Sequence, residues 1–184
     1  MKKEVFVWMI VIGVVLFFSC NSGVQTDENK KMVAENKIVQ QKDGTISLKI
    51  DNAECFQDMV NPSSNTAEWN VLASKSGRYD VWLSSATKDT TDLKYKNSVL
   101  LSIRDNRFEK LPVVNRVIQN SSDVSRPYFQ ADSFIGSLYI QDTGVYSVQV
   151  ISDRILPKNF KASGSSTDDH TKILSVSLTP ASKH

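Results

Sequence analysis

The sequence has few of the side chains on which most enzyme active sites depend. It contains two cysteines and two histidines; His170 lies in a stretch rich in Ser, Gly and Asp, and His184 is the last residue. A nucleophilic side chain needs a base held beside it, and neither histidine lies in a segment that predicts a rigid element. The tight polar clusters, Asp89 with Asp92 and residues 168–170, have the composition of solvated loops. The sequence therefore predicts no catalytic residue, no metal and no cofactor.

A strong excess of either charge is also absent. The chain has 22 Lys and Arg against 20 Asp and Glu, which gives a net charge of +2. Proteins that bind nucleic acid usually concentrate basic residues on one face or along one element. We therefore expect no nucleic-acid partner.

Long apolar runs are missing except at the amino end. Fourteen apolar residues, 5–18, follow Lys2 and Lys3 and precede Ser19 and Cys20. A basic start, an apolar stretch and a small residue at the cut site are typical of a secretory signal, here residues 1–19. A cysteine at this position resembles the lipobox of bacterial lipoproteins. The resemblance implies cleavage before Cys20 and acylation of its thiol and new amino group.

Two other interpretations of this segment remain. A retained membrane helix is disfavoured because spanning a bilayer takes roughly 20 apolar residues. An ordinary cleaved signal would leave Cys20 without a role. With acylation, the chain is an outer-membrane lipoprotein of the cell envelope, facing the periplasm or the surface. Cys55 then has no partner for an internal disulfide, and we expect a buried, inert thiol.

The remainder divides into a tether and one domain. Residues 20–44 are dominated by Gln, Lys, Glu, Asn and Asp, a composition typical of a flexible linker. From residue 45 to 181 short alternating segments follow one another, such as Ile46, Leu48 and Ile50 on one strand face. Period-two alternation broken by turn residues every 8–15 positions indicates half-buried strands. The fold prediction is all-β: an antiparallel, two-sheet β-sandwich of the jelly-roll kind.

Several of these segments together resemble a known group of domains. They are Asn52-Ala-Glu54, Glu68-Trp-Asn-Val71, Lys75-Ser-Gly-Arg-Tyr-Asp-Val-Trp-Leu83, Phe134-Ile-Gly-Ser-Leu-Tyr-Ile140, Gly144-Val-Tyr-Ser-Val-Gln-Val150 and Ile173-Leu-Ser-Val-Ser-Leu-Thr-Pro180. In this order they are similar to the galactose-binding-like jelly rolls that serve as carbohydrate-binding modules, above all those appended to bacterial fucosidases. The resemblance implies a glycan as ligand.

The same resemblance raises the question of calcium. Many such modules hold a structural calcium with an early glutamate and an aspartate in the last strand. Glu54 stands where the early acid would be, but Ile173 to Leu178 contains no acid. No metal ligand is therefore assigned.

Four residues are candidates for ligand binding, because a sugar site usually offers an aromatic face beside polar groups. Trp82 is out of phase with the core-facing residues of its strand, whereas Trp69 matches a core tryptophan of the resembled family. Tyr95 lies in a polar loop, and Arg126 and Tyr128 lie close together after another loop. The alternative for each aromatic is a structural role in anchoring its loop.

These features favour a lipid-anchored, non-catalytic carbohydrate-binding module, which holds glycan or supports a partner glycan-degrading enzyme at the envelope. The alternative is a structural or assembly lipoprotein that binds another envelope protein through its sandwich edge or its loops. A hydrolase also remains possible, since a pair of catalytic carboxylates cannot be recognised from sequence alone.

Overall fold

The computed structural model describes residues 37–156 and 171–182. These residues form two short 3₁₀ turns, Ile50–Asn52 and Pro62–Ser64, and eleven strands. The strands are β1 (Lys37–Val39), β2 (Ile46–Lys49), β3 (Glu54–Phe56), β4 (Thr66–Ala73), β5 (Gly77–Thr87), β6 (Val99–Ile103), β7 (Asn106–Lys110), β8 (Arg116–Ile118), β9 (Phe129–Ile140), β10 (Gly144–Ile151) and β11 (Lys172–Pro180). Among the described residues, no helix has the length and apolar character needed to cross a membrane.

The strands form two sheets. The first runs in the order β1-β4-β10-β6-β7, with β3 also paired to β4, and the second runs β2-β11-β5-β9-β8. The prediction of an all-β, two-sheet sandwich is confirmed. The first sheet differs from a purely antiparallel one because β1 pairs parallel to β4.

The alternating residues fill the space between the sheets. On β5, Tyr79, Val81 and Leu83 are at most 2% exposed, as their spacing predicts. Trp69 is buried as expected, and its indole Nε1 donates a hydrogen bond to the carbonyl of Lys49 at 2.9 Å. Burial of this many large apolar side chains is the main stabilising contribution to such a domain.

The domain begins earlier than the sequence predicts. Residues 37–44, assigned above to the tether, include β1 and a buried side chain, Gln40. The Gln40 amide donates to the Gly44 carbonyl at 2.6 Å and to the Tyr79 hydroxyl at 2.7 Å. A strand of three residues is too short to show alternation, which explains the misplaced boundary.

One end of the sandwich gathers the long connections, and we call it the loop end. There β5 ends opposite the start of β9, and β10 ends opposite the start of β4. The backbone of Ile173 donates to the carbonyl of Arg154 at 3.2 Å, which joins the two sheets at this end. The loop end consists of residues 57–65, 88–98, 119–128 and 152–156.

The two cysteines fall in different parts of the chain. Cys55 is half-buried against the core rather than fully buried. Cys20 and residues 168–170 lie outside the described residues.

Candidate functional site

An open groove of about 680 Å³ lies at the loop end, between loop 119–128 and the adjoining ends of β8 and β9. Two aromatic side chains and one arginine contribute to its wall, and amide and hydroxyl side chains provide hydrogen-bonding groups. The lining residues are Thr90, Val117, Ile118, Gln119, Asn120, Ser121, Val124, Arg126, Tyr128 and Phe129.

Polar and turn-forming residues shape the loop that forms the groove. The Tyr128 amide donates to the Ser125 carbonyl at 3.0 Å, closing a turn, and the peptide bond between Arg126 and Pro127 is cis. Asp123 meets Lys49 of β2 at 2.7 Å. Because β2 and β8 lie at opposite edges of the second sheet, this contact shows that the loop crosses the sheet's outer face.

The groove combines aromatic faces with donors and acceptors. Tyr128 is half-buried, and the Lys88 ammonium lies 5.4 Å from its ring centroid. Phe129 is 43% exposed, and Arg126 is exposed. None of the lining residues carries a carboxylate, so this lining can bind a hydroxyl-rich ligand but lacks the paired acids of glycoside hydrolysis.

The structure brings together two of the four predicted ligand residues. Arg126 and Tyr128 both line the groove, whereas Trp82 and Tyr95 do not. Phe129, which stands beside Tyr128 in the sequence, also lines the groove. Sequence reasoning missed Gln119 and Asn120, because nothing in the sequence marks these two amides among many similar loop residues.

Tyr95 lies in the core instead of in an accessible loop. It is 8% exposed, and its hydroxyl bonds the buried Ser85 hydroxyl at 2.9 Å. Burial raises the pKa of the Tyr95 hydroxyl. The expected ligand contact is therefore corrected to a packing role, because the ring is not available from outside. The alternation of Leu93, which is 1% exposed, with Tyr95 was the missed signal.

Trp82 occupies the outer face of β5, as its phase predicts, but its ring is covered. The Arg116 guanidinium lies 4.2 Å from the ring centroid, and Phe134 contacts the indole edge-on, with centroids 5.3 Å apart. A sugar ring therefore cannot stack on the face that Arg116 occupies.

A buried carboxylate holds this arginine in place. Asp132, which is 3% exposed, accepts hydrogen bonds from Arg116 Nε at 2.8 Å, Ser84 Oγ at 2.7 Å and Gln130 Nε2 at 3.1 Å. Gln130 in turn accepts from Ser121, a groove residue. Three donors compensate the buried charge, and the network links the groove loop to the sheet.

The acidic clusters at the loop end have structural contacts. Asp89 caps its own turn, and hydrogen bonds from the Thr91 hydroxyl and from the backbones of Thr91 and Asp92 lower its pKa to about 2. Such an acid holds no proton to donate at neutral pH. Asp92 pairs with Lys94 at 2.8 Å. Within the described residues, no three His, Cys, Asp or Glu side chains lie close enough to hold a metal; Glu54 is exposed on β3.

Comparison with known proteins extends the fold assignment. No family model and no curated protein sequence matches the chain. Among solved structures, an α-L-fucosidase from Vibrio sp. strain EJY3 matches with a TM-score of 0.59 and 18% identity, over 79% of this chain and 24% of the fucosidase. The chain thus spans about a quarter of that protein, and at this identity the match shows a shared fold.

Two further structures match less closely. A Podospora anserina GH26-CBM35 β-(1,4)-mannanase has a TM-score of 0.46 and 10% identity, covering 78% of this chain and 29% of its own. A CBM35 from Cellvibrio japonicus Abf62 has a TM-score of 0.37 and 13% identity, covering 75% of this chain and 94% of its own. The fold assignment does not depend on these two.

Proposed function

We propose that this protein is a lipid-anchored, non-catalytic carbohydrate-binding module that holds glycan, or supports a partner glycan-degrading enzyme, at the cell envelope. The observation that carries the proposal is the groove at the loop end. Its aromatic faces suit the C–H faces of sugar rings, and its arginine, amide and hydroxyl groups suit sugar hydroxyls. The shared fold with part of a fucosidase supports the same interpretation.

A binding role without hydrolysis is supported by the chemistry of the lining. Hydrolysis of a glycosidic bond usually needs two carboxyl groups about 5–10 Å apart across the scissile bond. The lining of this groove offers none. At the loop end, the Asp89 and Asp92 carboxylates cap turns and pair with Lys94.

In this proposal, acylation at Cys20 attaches the protein to the outer membrane. Sixteen residues lie between Cys20 and the start of β1 at Lys37. A chain of that length spans at most about 55 Å when fully extended. The anchor would therefore keep the groove close to the outer membrane, on its periplasmic or its surface side.

A glycan array tests the binding part of the proposal. A chain that begins at Asn21 retains all eleven strands, so the array can be probed with soluble protein. We expect saturable binding to at least one class of plant, host or microbial glycan, with no release of sugar from the retained glycans. Failure to bind across the array would count against the proposal.

One observation favours a second candidate, a structural or assembly lipoprotein that binds an envelope protein. Met59 and Val60 are 89% and 94% exposed, and Phe56 beside them is 52% exposed. The Asp58 carboxylate accepts from the amides of Val60 at 2.9 Å and Asn61 at 2.8 Å, which holds the turn in place. An ordered apolar tip of this kind suits a protein contact.

Crosslinking in native membranes separates the two candidates. The second function predicts a stoichiometric protein partner that is lost from a Met59→Ser/Val60→Ser variant, together with no glycan binding. The substitution Val145→Ser, at another exposed apolar position, serves as the control and should leave such a partner unaffected.

A further inference from the structure

Outside the groove, two cations contact two aromatic rings of the second sheet; one cation comes from β8 and the other from β7 of the first sheet. We call this group the cation–aromatic patch; its members are Trp82, Phe134, Arg116 and Lys110. Trp82 and Phe134 lie opposite each other on β5 and β9. Arg116 covers the tryptophan ring, and the Lys110 ammonium lies 5.5 Å from the Phe134 centroid.

Arg116 is held in one orientation before any ligand arrives. Its Nε donates to the buried Asp132 carboxylate, and its guanidinium carbon lies over the Trp82 ring. Among the described residues, this is the one hydrogen bond that the Arg116 side chain makes, and 48% of that side chain is exposed. A planar fork of N–H donors matches a carboxylate or sulfate group, and a fork already fixed loses less side-chain entropy on binding.

The charge of the patch is positive. Asp132 offsets one of the two cations and is itself buried, so its carboxylate faces the network and not the solvent. Lys110 contacts the Phe134 carbonyl at 2.7 Å, an uncharged acceptor that leaves its charge uncompensated. A neutral sugar would find the near face of Trp82 already occupied, whereas an anion would find a fixed guanidinium and a nearby ammonium.

We propose that the cation–aromatic patch binds an acidic sugar, one that carries a carboxylate or a sulfate group. The inference rests on the proposed glycan-binding function and names a ligand class for it. Phe129 of the groove and Phe134 of the patch are five residues apart on β9, about 16 Å at the usual rise of a strand. One acidic oligosaccharide can therefore contact both places.

Titration by NMR tests the proposal on the chain that begins at Asn21. That chain contains two tryptophans, of which Trp69 is 3% exposed, so the Trp82 indole N–H reports on the patch. The probes are glucuronate, glucose and inorganic sulfate. We expect glucuronate to shift the Trp82 signal saturably and to bind at least tenfold more tightly than glucose or inorganic sulfate.

Two substitutions and one matched control locate the site. Arg116→Gln should weaken glucuronate binding at least tenfold. Arg104→Gln should not, although Arg104 makes a similar stacking contact, 4.9 Å from the Tyr146 centroid, on the other sheet. Because Arg116→Gln leaves Asp132 without its cation and can unfold the domain, Lys110→Gln is a second variant, for which we expect at least a threefold loss.

Several results would overturn the proposal. They are equal affinity for glucose and glucuronate, equal affinity for inorganic sulfate and glucuronate, or unchanged binding by Lys110→Gln. A failure here is distinguishable from failure of the proposed function. If neutral glycans bind through Tyr128 and the Trp82 signal does not change, the groove stays the proposed binding site and only the proposal for the cation–aromatic patch fails.

Discussion

Tyr95 and Tyr128 show how similar loop aromatics reach opposite environments. Each follows a polar stretch of sequence, yet Tyr95 packs between the sheets while Tyr128 lines the groove. The difference lies in the neighbours: Leu93 and Tyr95 alternate into the core, whereas Tyr128 follows Pro127 in a turn. A hydroxyl in the core must bond another buried group, and Ser85 provides it.

The two tyrosines should respond differently to loss of the hydroxyl. Tyr95→Phe leaves the buried Ser85 hydroxyl without its partner, and we expect a loss of about 1 kcal/mol in the free energy of unfolding. Tyr128→Phe should change that free energy by less than about 0.5 kcal/mol, since its ring is half-buried at the surface. Urea denaturation of the two variants measures both; equal effects would contradict the assignment of Tyr95 to the core.

For single residues, the sequence predicted the charge of a side chain and the sheet face on which it lies better than it predicted the groups that the side chain contacts. The outward position of Trp82 followed from its alternation with Val81 and Leu83, and this was confirmed. The guanidinium on its ring was not predictable, because Arg116 lies 34 positions away and reaches it only through the pairing of β8 with β9. Asp132 was missed for the same reason: its donors come from three different strands.

At the scale of elements, β1 is attached to the domain by its pairing with β4 and by the side chain of Gln40, the residue that follows it. Its side-chain oxygen accepts from the amides of Ser74 at 2.9 Å and Lys75 at 2.8 Å, while its nitrogen donates to Gly44 and Tyr79. The side chain thus joins β1 to the turn between β4 and β5. β5 and β9 were predictable from alternation, but a strand of only three residues was not.

Removal of the Gln40 amide should therefore destabilise the whole domain. Gln40→Leu leaves several buried donors and acceptors without partners, and we expect a loss of about 2–4 kcal/mol in the free energy of unfolding. The neighbouring Gln41 is exposed, so Gln41→Leu is the matched control, with an expected change below about 0.5 kcal/mol. Similar denaturation midpoints for the two variants would disprove the linking role.

The two sheets approach each other where β7 meets β9. A Cβ atom added at Gly136 would lie 2.7 Å from two ring atoms of Phe108, which is closer than non-bonded carbon atoms approach. The glycine therefore allows the phenyl ring of one sheet to pack directly on the backbone of the other.

Gly136→Ala should force this contact apart. We expect a loss of about 1–3 kcal/mol in stability from overpacking. Combining it with Phe108→Leu, which gives back space, should cost less than the sum of the two single changes. A double-mutant cycle measures this coupling, and strictly additive effects would rule out the contact.

At the scale of the whole molecule, the described residues form a sandwich whose loop end carries the groove, and the proposed anchor lies before it in the chain. The fold was predictable because two-faced strands must bury one face. The ligand was not predictable, because the groove is formed by loops, and the path of a loop leaves no periodic signal in the sequence. The loop that crosses the second sheet to pair Asp123 with Lys49 is an example.

Acylation is expected at Cys20 and not at Cys55. In a bacterial host fed labelled palmitate, the native chain and Cys55→Ala should incorporate the label and partition with membranes, whereas Cys20→Ala should do neither. Label in Cys20→Ala would show that the cysteine is incidental to the signal.

Affinity electrophoresis in a gel that contains a glycan retained on the array tests whether the groove binds it. Native protein and Tyr95→Phe should migrate equally slowly. The double variant Arg126→Ala/Tyr128→Ala should bind the glycan at least tenfold more weakly, a loss of about 1.4 kcal/mol in binding free energy. No sugar should be released in any lane. Equal retention of the groove variant, or no retention of native protein on any glycan, would contradict the assignment of the groove as the binding site.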